Sequence, residues 1–310
     1  MNNQEKNLIE EALHLFGIEN AEYTMLRHNE NISCKVSVSD KTYSLRIHCP
    51  VEDFNTNLVN FGYDAYERFQ DEVELLCYMR EHGFPELQEP VAGLDGKLIY
   101  RLSDGSPAML LSWIPGRTIE EAEGKKYAKE LGKLAARIHR SSKGFSGRRI
   151  AYDEQLIDRL FDEISSAVNS GHISPKAGDI CVNELKMIRA AISRLKEDKE
   201  QYGIIHADLS FGNIIVSDNG LIPIDFSFSG FSCYAQEAGM LQSNYHDEES
   251  RYLVLQGLAE GGEKIDEKDA ELFLSLSVLL FICAQHGRYF SEGWFSEAME
   301  RWCNTLFIHG

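Results

Sequence analysis

Residues 204–230 constrain this chain more than any other stretch, because they combine a predicted hairpin with polar side chains at both of its ends. Two apolar runs, at residues 214–216 and 221–226, flank the turn sequence Asp-Asn-Gly at residues 218–220. These turn residues tolerate the positive φ angles that tight hairpins require. The stretch therefore predicts two short antiparallel strands joined by a tight turn.

Polar side chains stand on the side of this hairpin where its two ends meet. Asp208 and Asn213 come before the first strand, and Asp225 lies at the end of the second strand. Placing two carboxylates and an amide at one rim buries no hydrophobic surface, so hydrophobic burial does not explain the arrangement. Carboxylate and amide oxygens are, however, ligands that Mg²⁺ accepts. The arrangement predicts a divalent cation and a phosphate group at this rim.

Charge and composition exclude several classes of protein. The chain has 31 Lys and Arg against 49 Asp and Glu, a formal net charge of −18, which argues against sequence-independent binding of nucleic acid. Its start is polar, and its longest apolar run, residues 272–284, is shorter than a membrane span, so we expect no membrane association. Its 7 cysteines form no C-x-x-C motif, which favours a reduced, cytoplasmic protein without a zinc or disulfide framework.

The hydrophobic pattern changes character near Pro115 and Gly116. Before this point it predicts helices and β-type runs together, at residues 4–16, 23–47, 64–82, 97–101 and 108–113. After it, apart from the hairpin, helices dominate, at residues 127–139, 153–169, 178–196, 267–286 and 292–307. We therefore predict an α+β fold with a small mixed β-sheet lobe at residues 1–112 and a larger, mainly helical lobe at residues 113–310.

Two linked motifs indicate the chemistry of the hairpin rim. Residues 206–213 read His-Ala-Asp-Leu-Ser-Phe-Gly-Asn, which matches the kinase catalytic-loop pattern H-R-D-L-x-x-x-N with Ala207 in place of arginine. Residues 225–227, Asp-Phe-Ser, match the first two places of the metal-binding D-F-G motif. Phosphoryl transfer depends chiefly on positioning and charge neutralisation, which such residues supply.

With these motifs the chain resembles the aminoglycoside phosphotransferase and choline kinase-like family of small-molecule kinases, which shares the protein-kinase fold. The resemblance covers nearly the whole chain, with weaker matches at residues 30–31, 45–47, 72–79, 112–116 and 131–139. It implies a two-lobed protein-kinase-like fold. Residues 1–112 would form the nucleotide-binding lobe, and residues 113–310 would contain the catalytic loop and the acceptor site.

The resemblance also implies roles for the residues of the core motifs. Asp208 would be the catalytic base, and Asn213 and Asp225 would be the Mg²⁺ ligands. His206 is expected to make structural hydrogen bonds within the loop. Glu237 stands about where the family has an aspartate before a helix, so we expect it to cap that helix or brace a loop.

On the nucleotide side, the resemblance implies ATP as the phosphate donor. Arg46 takes the place of the lysine that touches the α- and β-phosphates, and Glu72 is its expected partner. The backbone of Ser112 and Ile114 would hold the edge of the adenine ring. An arginine suits phosphate geometry but is not interchangeable with lysine. Arg46 at the place of the lysine is therefore a departure from the usual pattern of the family.

Three departures separate the chain from protein kinases. Gly17 is the only glycine in the first 60 residues, so the phosphate-covering G-x-G-x-x-G loop is missing. Ser210 stands two places after Asp208, where protein kinases carry a basic residue. Pro223 is the last proline of the chain, so no A-P-E motif follows Asp225. These departures favour the small-molecule branch.

The identity of the acceptor stays open at this point. A small hydroxylated compound such as an amino sugar, an aminoglycoside, choline, ethanolamine, homoserine or a sugar-like metabolite would suit the scaffold. Two other functions compete with this interpretation. One is a Ser/Thr protein kinase of the same fold, and the other is a non-catalytic nucleotide-binding module with a regulatory role.

Overall fold

The N-terminal lobe is built on one antiparallel sheet. In a computed structural model, which describes residues 1–51, 58–59 and 62–309, this sheet has five strands in the order β1-β2-β3-β5-β4. Its elements are α1 (Asn3–Leu15), β1 (Glu22–His28), β2 (Asn31–Val38), β3 (Lys41–His48), α2 (Ala65–Glu81), β4 (Ile99–Arg101) and β5 (Pro107–Ser112). The predicted small lobe of strands and helices is thereby confirmed.

The C-terminal lobe is mainly helical. Its helices are α3 (Gly124–Ser141), α4 (Glu154–Asn169), α5 (Pro175–Leu195), α6 (Tyr234–Gln242), α7 (Glu248–Glu260), α8 (Glu267–Tyr289) and α9 (Gly293–Thr305). Its strands are β6 (Arg117–Thr118), β7 (Ile150–Ala151), β8 (Tyr202–Ile205), β9 (Ile214–Ser217), β10 (Gly220–Pro223) and β11 (Gly230–Cys233). The β5 strand ends at Ser112, beside the predicted boundary between the lobes.

Helix α2 connects the cores of the two lobes. Its predicted apolar face is buried, and Val73 and Leu76 belong to the same hydrophobic cluster as Leu131 of α3 and Ile222 of β10. Helix α1 packs in a separate cluster on the sheet and begins with a capping box, in which Asn2 and Glu5 satisfy each other's backbone N–H groups. The shared cluster holds the two lobes together along the side where α2 contacts α3.

The predicted hairpin is present as β9 and β10, which pair from Gly220 with Ser217 to Pro223 with Ile214. The turn differs from the expectation. Within it only Gly220 has a positive φ, of 99°, so the two central residues of the turn do not need the left-handed conformation. The hairpin still brings residue 213 and residue 225 to one rim, because Ile224 N–H donates to the Asn213 carbonyl at 2.9 Å.

Several elements of the C-terminal lobe escaped prediction for physical reasons. Strands β8 and β11 pair antiparallel, but each has only four residues, too few to establish a period. Helix α6 buries polar residues such as Gln236 and Glu237 together with its apolar ones, so it lacks an amphipathic pattern.

Helix α8 is apolar and long enough to span a membrane, judged by length and composition alone. Half of its most apolar stretch is buried against the rest of the protein.

Helices α3 and α7 cross at two glycines, which gives a prediction about stability. A Cβ atom added at Gly257 would overlap the Lys129 carbonyl, and one added at Gly132 would overlap the Val254 carbonyl. We expect Gly257→Ala to lower the free energy of unfolding by about 1–3 kcal/mol in urea denaturation. The control is Gly287→Ala in α8, where an added Cβ meets nothing within 4 Å. That variant should have the same free energy of unfolding as the wild type, or a higher one. Equal effects of the two substitutions would contradict close packing at Gly257.

Candidate active site

Two adjoining cavities lie between the lobes. The larger is a cleft of about 450 Å³, with apolar walls that include Leu26, Ile114, Ile215 and Ile224. The smaller, of about 80 Å³, is lined by Asp208, Ser227 and Phe228 among others. Arg27 and Asp225 line both cavities, so the two spaces meet at these side chains. A ligand in the large cleft and a ligand in the small cavity would therefore approach each other beside Asp225.

The loop before β9 holds Asp208 and Asn213 against each other. The Asn213 amide nitrogen donates to the Asp208 carboxylate at 2.6 Å and to the Asp208 carbonyl at 3.1 Å. Burial, followed by the charge of Asp225, raises the pKa of Asp208 to about 7. A carboxylate with this pKa readily takes up a proton near neutral pH, as a general base must.

Two non-glycine residues of the site adopt the left-handed backbone conformation. Ala207 has a φ of 62° and Asp225 has a φ of 65°. Such a conformation costs roughly 1–2 kcal/mol for a residue with a Cβ atom, so it persists where surrounding contacts enforce it. One of these residues directly precedes Asp208 and the other is Asp225, so each predicted catalytic or metal-binding carboxylate stands at a strained point of the backbone.

Glu237 of α6 enforces the conformation of the loop at Ala207. Its buried carboxylate accepts the backbone N–H of His206 at 2.5 Å and that of Ala207 at 3.2 Å. Burial raises the pKa of Glu237 to about 7. Glu237 is therefore placed to brace the loop. It does so at Ala207, the strained residue directly before Asp208.

A substitution at Glu237 tests this bracing. In Glu237→Leu two buried N–H groups lose their acceptor, and we expect the free energy of unfolding to fall by at least about 2 kcal/mol. Chemical denaturation measures the change. The control is Glu249→Leu, which removes an exposed carboxylate that pairs with Lys125 and should change stability by less than about 0.5 kcal/mol. A Glu237→Leu variant as stable as this control would exclude the bracing role.

His206 makes structural hydrogen bonds within the same loop. Its Nε2 lies 3.1 Å from the Ile224 carbonyl, and its Nδ1 lies 3.3 Å from the Asp208 N–H. Burial lowers the pKa of His206 to about 4, so the ring is neutral. Nε2 then carries the proton and donates to Ile224, while Nδ1 accepts from Asp208. The imidazole thereby links the loop to Ile224, the residue directly before Asp225.

Arg46, Glu72 and Asp225 form a buried ionic group between the lobes. Arg46 Nη1 donates to Glu72 at 2.6 Å, and Arg46 Nη2 lies 3.3 Å from Asp225 Oδ1. Glu72 also accepts the Phe226 N–H at 3.1 Å, which ties α2 to the second motif. Burial works against ionisation of Asp225, but the charge of Arg46 holds its pKa below the ordinary value. Asp225 is therefore ionised.

The same arginine has donor capacity to spare. Arg46 is 5% exposed, and its Nε and Nη2 atoms donate no hydrogen bond to the described residues. Buried donors without a partner are costly, so they indicate a missing acceptor. Since Arg46 lines the large cleft, an anionic group bound there would complete its hydrogen bonds. The residues present thus fit the phosphates of a nucleotide.

The oxygen ligands present also fit a single Mg²⁺ ion. Among residues 1–51, 58–59 and 62–309 no group of 3 or more His, Cys, Asp or Glu side chains could hold a metal by itself. Mg²⁺ needs less from the protein, because it keeps waters and takes oxygens from bound phosphates. Asn213 and Asp225 both line the large cleft and offer an amide and a carboxylate oxygen.

Arg27 is a site residue that the sequence did not reveal. The pairing of β1 with β2 shifts register between Met25 and Arg27, so Leu26 is the extra residue of a β-bulge. The bulge lets consecutive side chains, Leu26 and Arg27, both line the cleft, where a regular strand would turn them to opposite faces. Arg27 Nη1 lies 3.5 Å from Asn213 Oδ1 and so reaches from the sheet to the opposite lobe.

Ser112 and Ile114, the two residues predicted to hold the edge of the adenine ring, differ in their surroundings. Ile114 lines the large cleft. The backbone of Ser112 is already engaged, because its N–H donates to the Glu89 carbonyl at 2.8 Å and its carbonyl accepts from the Gln88 side chain at 3.1 Å. Ser112 is not among the residues that line this cleft, so the structure places only Ile114 of the predicted pair at the cleft.

Comparison with known proteins identifies relatives across most of the chain. A sequence model described as "Phosphotransferase enzyme family" matches residues 28–273. Amicoumacin kinase of Bacillus subtilis (strain 168) is 22% identical over 247 residues, which cover 77% of this chain and 68% of that protein. Homoserine kinase of Sinorhizobium medicae (strain WSM419) is 26% identical over 197 residues, 61% of this chain and 57% of that enzyme. The latter match therefore spans little more than half of the homoserine kinase.

Solved structures support the fold assignment. The structure of an amicoumacin kinase in complex with AMP-PNP, Ca²⁺ and Ami superposes with a TM-score of 0.74 at 18% sequence identity. The superposition covers 98% of this chain and 93% of that one. At this identity the likeness establishes the fold, and the two-lobed kinase-like architecture predicted from the sequence is confirmed.

Proposed function

The chain belongs to the phosphotransferase enzyme family, and we propose that it transfers the γ-phosphate of ATP to a hydroxyl group of a small molecule. The observation that carries this proposal is the contact of the two cavities at Asp225, with Asp208 lining the smaller cavity and Arg46 lining the larger. The amicoumacin kinase structure, which holds a nucleotide analogue and a divalent metal ion, supports the assignment of the larger cleft to a nucleotide.

The nucleotide would be held by residues of both lobes. The apolar walls formed by Leu26 and Ile215 suit the faces of a purine ring. The Arg46 Nε and Nη2 atoms, which make no hydrogen bond to the described residues, suit the α- and β-phosphates. Glu72 fixes the orientation of the guanidinium through its hydrogen bond of 2.6 Å. Arg27 reaches across the cleft toward Asn213 and would contact the phosphates from the sheet side, where protein kinases place glycine-rich backbone.

Asn213 and Asp225 would hold Mg²⁺. When bound, this ion supplies positive charge that neutralises the β- and γ-phosphates and holds them in line for transfer. Asp225 is suited to the role because Arg46 keeps its carboxylate ionised. The Ser227 hydroxyl donates to Asp225 Oδ1 at 2.8 Å and so restricts the carboxylate before any ion binds.

Asp208 would orient the acceptor and take its proton. As the acceptor oxygen forms its bond to the γ-phosphorus, the bond from that phosphorus to the β,γ-bridging oxygen breaks and ADP leaves. The proton of the acceptor hydroxyl passes to the carboxylate of Asp208, whose other contacts are fixed by Asn213 at 2.6 Å. Because Asp208 lines the smaller cavity, the acceptor would enter from that side.

We propose an amine-bearing alcohol or amino sugar as the acceptor. Homoserine kinase and amicoumacin kinase are named for such hydroxylated compounds, and both are relatives of this chain. The formal net charge of −18 also favours a cationic over an anionic acceptor. The departures from protein kinases described above argue against presentation of a peptide.

An acceptor screen tests the proposal. Purified protein with Mg²⁺ and ATP is incubated with amino alcohols, amino sugars, aminoglycosides and neutral sugars, and ADP release is followed by a coupled assay. We expect release well above the acceptor-free rate for one structural class of hydroxylated amines. Incorporation of phosphate into protein substrates with none into any metabolite would instead support the protein-kinase alternative.

A further inference from the structure

Gln88 is a buried polar residue at the nucleotide cleft that the mechanism above does not use. It lines the cleft together with Ile114 and is 8% exposed. It comes just before the short segment that extends the N-terminal sheet beside β5, where Pro90 forms a bridge with Leu111. Gln88 therefore lies next to residues 112–114, whose backbone is predicted to hold the edge of the purine ring.

The orientation of the Gln88 amide is fixed by one hydrogen bond. Its Nε2 donates to the Ser112 carbonyl at 3.1 Å. A flipped amide would place two acceptor oxygens against each other, so the nitrogen must face Ser112. The Oε1 atom accepts no hydrogen bond from any residue in the described ranges. Because Gln88 lines the cleft, a ligand bound there can supply the donor that Oε1 does not receive from the protein.

On the basis of the function proposed above, we propose that Gln88 selects the purine base and makes the enzyme specific for ATP over GTP. The Gln88 Oε1 gives the wall of the cleft a hydrogen-bond acceptor beside residues 112–114. The 6-amino group of adenine offers an N–H donor to this acceptor. Guanine carries a carbonyl oxygen at the same place, which would face the Gln88 Oε1 and leave both oxygens without a donor.

Binding measurements test this without knowledge of the acceptor. The titrants are the Mg²⁺ complexes of ATP, of GTP and of purine riboside triphosphate, which lacks only the 6-amino group. By isothermal titration calorimetry the wild-type protein should bind ATP about tenfold more tightly than purine riboside triphosphate, and discriminate more strongly against GTP. In Gln88→Met, which keeps the volume but has no acceptor, the preference for ATP over each competitor should fall by about tenfold.

The control variant is Glu89→Gln, the exposed neighbour whose carboxylate pairs with Arg80 at 3.2 Å. This variant should keep the wild-type ratios between the Kd values for ATP, GTP and purine riboside triphosphate. Thermal melting verifies that each variant is folded, and Gln88→Leu replaces Gln88→Met if the latter is unstable. A folded Gln88 variant that binds ATP and keeps the wild-type ratios would overturn the inference. A wild-type protein that binds neither ATP nor GTP would overturn the proposed function, and the inference with it.

Discussion

Replacing Asp208 with asparagine should lower kcat for phosphoryl transfer by about 10²- to 10⁴-fold. The substitution keeps the shape of the side chain, and its amide oxygen can still accept the hydrogen bond that Asn213 donates at 2.6 Å. What it removes is the capacity to take the proton of the acceptor hydroxyl. Because Asp208 does not line the larger cleft, the Kd for Mg-ATP should stay near the wild-type value.

The comparison needs a matched control and both measurements on the same protein. Asp218→Asn makes the same chemical change at an exposed position in the turn between β9 and β10, and it should leave kcat unchanged. Steady-state kinetics gives kcat, and calorimetry gives the Kd for Mg-ATP. An Asp208→Asn variant that transfers phosphate to its acceptor at the wild-type rate would show that the base has been assigned to the wrong residue.

Replacing Arg46 with methionine should lower the free energy of unfolding by about 3–5 kcal/mol, because it leaves a buried carboxylate without its partner. Glu72 is 2% exposed, so water cannot replace the guanidinium. The same variant should bind Mg-ATP weakly, since the donors proposed for the α- and β-phosphates are gone. Urea denaturation and calorimetry measure the two effects separately.

A double variant separates these two roles of Arg46. In Arg46→Met/Glu72→Gln the unpaired charge is removed, while the glutamine oxygen can still accept the Phe226 N–H now bound by Glu72 at 3.1 Å. We expect most of the lost stability to return and the weak binding of Mg-ATP to remain. If the double variant regains nucleotide affinity along with stability, Arg46 acts through the fold and not through phosphate contact.

The sequence was sufficient for the architecture and for the centre of the candidate site. The spacing within residues 206–213 and 225–227, on either side of a turn, predicted which polar groups would share one rim. That rim exists because the hairpin is a local structure, with its register determined by a few neighbouring residues. The family and the two-lobed fold are confirmed, whereas the catalytic and ligand roles stay predictions that the variants above address.

The residues of the candidate site that escaped prediction depend on contacts between distant segments of the chain. Arg27 reaches Asn213 only because a bulge at Leu26 re-aims the side chains of β1. Gln88 matters because Ser112 turns its carbonyl toward it, across a segment that belongs to no regular strand of its own. A one-dimensional pattern contains neither the bulge nor that pairing, since each is decided by packing within the sheet.

The proposed phosphotransferase activity can be measured directly as transfer of a radiolabelled γ-phosphate from ATP to a low-molecular-weight acceptor. The wild-type protein, the Asp208→Asn variant and the Asp218→Asn control are each incubated with Mg²⁺, labelled ATP and the acceptor that gives ADP release, and the products are separated by chromatography. We expect a labelled phosphate monoester of the acceptor with the wild type and the control, and nearly none with Asp208→Asn. Label found only in protein or in free phosphate would contradict transfer to a small-molecule hydroxyl, and equal product from all three proteins would contradict the role of Asp208.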